Sequence, residues 1–172
     1  MADYRAIAAI SEGIMGLLRS SYPGSDTEFR VVTSSDFSEK TVANGASLFM
    51  YRVFVNGSAR VSLGEVGHDG AKRGTVLPLD LHFLITLWGG EASQQHSLAS
   101  WIMRVLEDTP VLPASVLNSV IPGVFREEES VQIVLADLST EELFRIWAGI
   151  GNNAYQLSIP YVARVVHIES EG

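Results

Sequence analysis

Apolar residues recur at every second position in the stretch LPLDLHFLITLW, from Leu77 to Trp88. Leu79, Leu81, Phe83, Ile85 and Leu87 make one face. Asp80, His82, Leu84, Thr86 and Trp88 make the other. This period of two predicts a β-strand with one face in a core. The second face is harder to read. A carboxylate and an imidazole suit solvent or chemistry, but Leu84 and Trp88 suit neither.

Elsewhere the period changes. Ile7, Ile10, Ile14, Leu17 and Leu18 fall at helical spacing over residues 3–20, with Asp3 placed to cap the start and Pro23–Gly24 to end it. Residues 28–33 (EFRVVT) predict a short strand, and the polar run TSSDFSEKTVANG after it a loop. Residues 46–55 (ASLFMYRVFV) are rich in aromatic and β-branched residues and predict a second strand. Asn56–Gly57 then predicts a tight hairpin turn, with SARVSL returning as the partner strand. Residues 64–76 hold four glycines and carry no periodicity.

Past Gly89–Gly90, residues 91–108 predict a helix with Leu98, Trp101, Ile102, Val105 and Leu106 on its core side. Three prolines punctuate TPVLPASVLNSVIPG, and Pro113 is placed to start one or two helical turns. Residues 130–136 predict a strand. In LSTEEL, Ser139 and Glu142 form a capping box, flanked by Leu138 and Leu143 as a hydrophobic staple. The helix that follows turns Ile146 and Trp147 inward and stops near Gly149–Gly151. Residues 155–169 predict a last strand, and Pro160, lacking an N–H, puts that end at an edge or a bulge. The order α-β-β-β-β-α-β-α-β describes an α+β fold: a mostly antiparallel or mixed sheet, helices packed on one face, one domain over residues 3–169.

The 172 residues include no cysteine, which excludes disulfides and thiolate metal sites. No apolar run reaches the ~18 residues of a membrane span. The N-terminal MADYRAIAAISEG, with Asp3 and Glu12, does not read as a signal peptide, and cytoplasmic synthesis fits. The net charge is −8. Residues 1–90 carry 8 basic and 9 acidic side chains, residues 91–172 only 4 basic and 11 acidic. With no basic stripe to displace counterions, a nucleic-acid partner is not expected.

Catalytic patterns are sparse. There is no HExxH and no GxSxG, and no histidine pair has the i,i+4 spacing of a helical metal site. The glycines of 64–74 are flanked by strand patterns, not a helix, so a phosphate cradle is not predicted. Glu127, Glu128 and Glu129 read as a solvated turn. One chemical alternative stands: Asp80 and His82 share a strand face, His96 lies on the next helix, and together they would make a small metal- or ligand-binding enzyme.

Against it stands a resemblance. LPLDLHFLITLWG, QQHSLASWIMRVLEDTPVLPASVLN and YQLSIPYVARVVHIES occur in this order, with DYRAIAAISEGIMGLLR and ASLFMYRVFV ahead of them. In these motifs the chain resembles the tail-terminator (cap) proteins of extracellular contractile injection systems, of the virulence-cassette and antifeeding-prophage type. The resemblance covers about residues 3–169. It implies an α+β subunit of a hexameric ring that caps the distal end of a tube and sheath and stops their polymerisation. Its partners would be further copies of itself, the inner tube protein and the sheath protein. It implies no cofactor and no catalytic residue, and some relatives carry an additional C-terminal domain. On this reading Asp80, His82 and Trp88 face subunit or tube contacts. Lys72 and Arg73, the chain's only adjacent basic pair, tip an arm that orders against an acidic partner surface.

Overall fold

In the computed structural model the described residues are 2–39, 42–59, 76–150 and 155–169. The elements run α1 (Ala6–Ser21), β1 (Glu28–Val32), α2 (Asp36–Glu39), β2 (Gly45–Val55), β3 (Val76–Trp88), α3 (Ala92–Asp108), β4 (Val111–Pro113), α4 (Ala114–Leu117), β5 (Ser130–Leu135), α5 (Thr140–Ile150) and β6 (Ser158–Glu169). Six strands form one mixed sheet in the order β1-β2-β3-β6-β5-β4. β1 and β2 pair in parallel; the other neighbours are antiparallel. This is the expected α+β fold.

The alternating strand sits at the centre. Leu79, Leu81, Phe83, Ile85 and Leu87 are buried in the main core with Ile10, Ile14 and Leu18 of α1, Leu98 and Ile102 of α3, and Leu117 of α4. Each such side chain contributes on the order of 1.5–3 kcal/mol by leaving water. The opposite face of β3 is covered too. Leu84 is buried in a second, smaller core with Phe37 of α2 and Trp147 of α5, and Trp88 packs against it. Among the described residues helices therefore lie on both faces, not on one as expected: α1, α3 and α4 cover one, and α2 and α5 cover the other because Leu84 and Trp88 make it apolar too. The run 33–45, expected as a plain loop, carries α2 because Phe37 finds an aromatic nest: Phe49, Trp88 and Trp147 lie with ring centroids 5.3, 5.6 and 5.3 Å away.

Several local expectations change. The Asp3 carboxylate accepts from the Arg5 N–H (2.8 Å) and the Arg5 guanidinium (2.6 Å), so it braces the residue before α1 instead of capping a helix. Asn56–Gly57 does not form a two-residue hairpin turn. Gly57–Ala59 is one turn of 3₁₀ helix, and the Asn56 side-chain oxygen accepts the Ala59 N–H at 3.0 Å. The expected return strand SARVSL falls largely outside the described residues, as does all of 64–75. Trp101 is half-buried, edge-on to Tyr22 at 4.8 Å, at the rim of the core.

Pro160 lies on β6, an interior strand, opposite Leu84. The β5 ladder stops there. Ala136 donates to the Pro160 carbonyl at 3.0 Å, and the reciprocal rung cannot form without a proline N–H. The freed Ala136 carbonyl accepts the Leu138 N–H at 3.1 Å instead and turns the chain toward α5. There the expected capping box closes in both directions: Ser139 N–H to Glu142 at 2.9 Å, Glu142 N–H to Ser139 Oγ at 3.2 Å.

Gly45 starts β2 with φ +141° and faces Glu28 across the parallel pair. A Cβ here would stand 2.0 Å from the Glu28 carbonyl oxygen. Gly45→Ala is expected to cost about 3 kcal/mol through strain and loss of β1 pairing. Gly57→Ala, where no atom lies within 4 Å of the new Cβ, should change little. Urea unfolding of the two variants checks this.

Candidate assembly surface

β3 carries Asp80, His82 and Trp88 on its second face, and each has a different neighbourhood. Trp88 lies at the rim of the second core, where its indole N–H donates to Ser47 Oγ at 2.8 Å. The polar atoms beside it are also paired. Thr86 Oγ1 and Ser158 Oγ lie 2.9 Å apart, and the Trp147 indole N–H donates to Ser158 Oγ at 3.2 Å.

Asp80 is at the point where the sheet bends. Both neighbours of β3 slip register nearby: β2 between Met50 and Arg52, and β6 opposite Leu79–Leu81. On β6 the extra residue is Val165, with φ +54°. A β-branched residue in the left-handed region costs on the order of 1–2 kcal/mol. One Asp80 oxygen accepts the Val165 N–H at 2.9 Å. The other accepts from the Asn56 side-chain amide at 2.9 Å. A single carboxylate thus ties the bulge of β6 to the turn that ends β2.

His82 opens onto a groove of about 580 Å³ between the sheet and the first turns of α5, with Tyr51, Arg52, Asp137, Glu142 and Arg145 among its walls. Burial pushes the His82 imidazolium below its ordinary value of 6.5. The Arg52 guanidinium acts in the same direction and the Asp80 carboxylate opposes it. Burial likewise raises the Tyr51 phenol. The ring centroids of Tyr51 and His82 are 6.1 Å apart.

His96 does not join this group. It is exposed on α3, which packs on the opposite face of the sheet. The structure therefore does not bring Asp80, His82 and His96 together, and no cluster of three potential metal ligands occurs among the described residues. Lys72 and Arg73 lie outside the described residues.

Sequence reasoning missed a different surface. β1 ends at Val32, opposite Phe49, and among the described residues no strand pairs with β2 beyond it. Val53, Phe54 and Val55 there are 48%, 47% and 40% exposed, and Leu77 beside them is 41% exposed. The Arg52 guanidinium carbon lies 4.5 Å from the centre of the Phe54 ring. The sequence signal was apolar residues on both faces of a strand end, immediately before Asn56–Gly57.

Comparison with known proteins points in one direction. The family model described as the Pvc16 N-terminal domain matches residues 9–172. No curated protein matches the chain. One similar solved structure is the sheath/tube terminator of an extracellular contractile injection system, PVC, in the extended state. It has a TM-score of 0.64 and 19% identity, over 96% of this chain and 57% of that one. Another is the tube-terminating cap of the anti-feeding prophage, with a TM-score of 0.60 and 16% identity, over 95% of this chain and 55% of that one. The chain thus spans little more than half the length of either, and at these identities the likeness is one of fold.

Asp80→Ala should destabilise by about 2 kcal/mol, because it orphans the Val165 N–H. Val165→Gly should offset part of that loss, since glycine holds φ +54° without strain. A double-mutant cycle by urea unfolding measures the coupling.

For His82, the unfolded chain binds the proton more tightly than the folded one does. Its contribution to stability is present above pH 6.5 and is lost as the pH falls below that value. His82→Gln should make the decline in unfolding free energy below pH 6.5 shallower.

Proposed function

Since the chain belongs to the Pvc16 N-terminal domain family, we propose that it is a structural subunit of the cap that terminates the tube and sheath of a contractile injection system and halts their polymerisation. Residues 3–169 act as one unit, six copies close a ring, and the ring contacts the inner tube and the sheath. Assembly takes place in the cytoplasm, and the chain performs no catalysis.

The observation that carries this reading is the family match over residues 9–172, joined to a fold similar to those of two such caps over 96% and 95% of this chain. The chemistry of the second face agrees with a structural role. Asp80 is spent on the bulge, and Trp88 packs at the second core. The enzyme alternative lacks its third residue, because His96 stands on the other side of the sheet.

Deleting the gene in a particle-producing strain should give tubes and sheaths of uncontrolled length, and restoring it should restore a fixed length. Cryo-microscopy of the restored particles should show this protein at one end with sixfold symmetry. Particles of normal length without it, or a different symmetry at that end, overturn the proposal.

A further inference from the structure

Sheet edges need protection, because a row of unpaired N–H and C=O groups will accept any passing strand. Two edges of this sheet have it. At β4 the outward-facing backbone positions are Val111 and Pro113, since Ile133 donates to Pro110 (2.8 Å) and Leu112 pairs with Val131. Pro113 offers no donor, so the edge is blocked after one residue. β1 is only five residues long and carries the Glu28–Arg30 ion pair at 3.0 Å. At the far end of β6, where β5 no longer pairs, Ala2 covers the strand by bridging to Ile168.

The end of β2 has no such guard among the described residues. Asn56 donates to the Pro78 carbonyl at 2.9 Å, which sets the ladder: Arg52, Phe54 and Asn56 bond toward β3. The N–H and C=O groups of Val53 and Val55 therefore point outward. Their side chains lie on the main-core face opposite Leu81 and Leu79, and Phe54 and Arg52 lie on the other face opposite Asp80 and His82. An open ladder with apolar groups on both faces is what a strand-addition site requires.

We propose that this edge receives an extended segment of a non-identical chain of the particle, one with apolar residues at alternate positions and a carboxylate opposite Arg52. The inference rests on the cap reading above. A closed ring joins unlike patches, so a second copy would have to present a strand other than β2, and among the described residues its other edges are guarded. Arg52 is the only charged side chain of β2 and stacks on Phe54 beside the open ladder, which selects an acidic residue in the incoming segment.

The test uses intact particles carrying variants of this chain. A photoreactive benzoylphenylalanine in place of Phe54 should crosslink, and mass spectrometry of the adduct should identify an extended segment of a different chain. Val53→Pro removes an outward donor and leaves every β3 rung in place. It should lower retention of the protein on particles about tenfold, the effect of one or two lost backbone hydrogen bonds. Val53→Thr, which keeps the N–H, should retain it, and both variants should melt near the parent. Adducts only to a second copy, no adduct in particles that contain the protein, or full retention of a folded Val53→Pro variant overturn the proposal. Absence of the unmodified protein from particles would instead overturn the cap reading itself.

Discussion

The sheet depends on one carboxylate. Asp80 accepts a hydrogen bond from the backbone of β6 with one oxygen and from the Asn56 side chain of the β2 turn with the other. The three central strands meet there, and both flanking strands slip register within a few residues of it. A bulge adds local twist and bends the strand that contains it. Without a charged acceptor, Val165 would have neither a hydrogen bond nor a comfortable conformation. With it, the strain at φ +54° is held, and the bend of the sheet becomes a fixed property of the fold.

That bend also explains why the second face is mixed in character. Toward Trp88 it is a core, closed by Phe37 and Trp147. Toward Asp80 the cover ends, and the face becomes a polar groove beside α5. Leu84 and Trp88 belong to the first environment, Asp80 and His82 to the second. One strand passes through both, which is why its alternation looked contradictory.

The strands and long helices were legible because their periodicity is strong. β3, α3 and the Ser139–Glu142 box all reflect short-range rules that tertiary context did not override. The two-residue turn at Asn56–Gly57 was misread because the Asn56 side chain bonds Ala59 and Asp80 instead of adopting a left-handed turn. α2 was invisible because four residues carry no period, and Phe37 is explained only by aromatic partners far away in sequence. β4 was hidden by Pro110 and Pro113, which read as loop, though Pro113 serves as an edge guard. Of the candidate surface, Asp80 and His82 were found by residue type, but their roles lie in long-range contacts. The open end of β2 left one sequence signal, apolar residues on both faces of 46–55, but not its meaning, because exposure of an apolar strand depends on where its neighbour stops.

The strand order has a consequence for synthesis. β6 is the last strand in chain order, yet it sits between β3 and β5. Until it emerges from the ribosome, β3 has one naked flank and the main core lacks a wall. Pairings this distant in sequence close slowly, after local helices have formed. The nascent chain therefore has no finished sheet until β6 has paired. Translation order itself thus sets the moment at which the sheet can close.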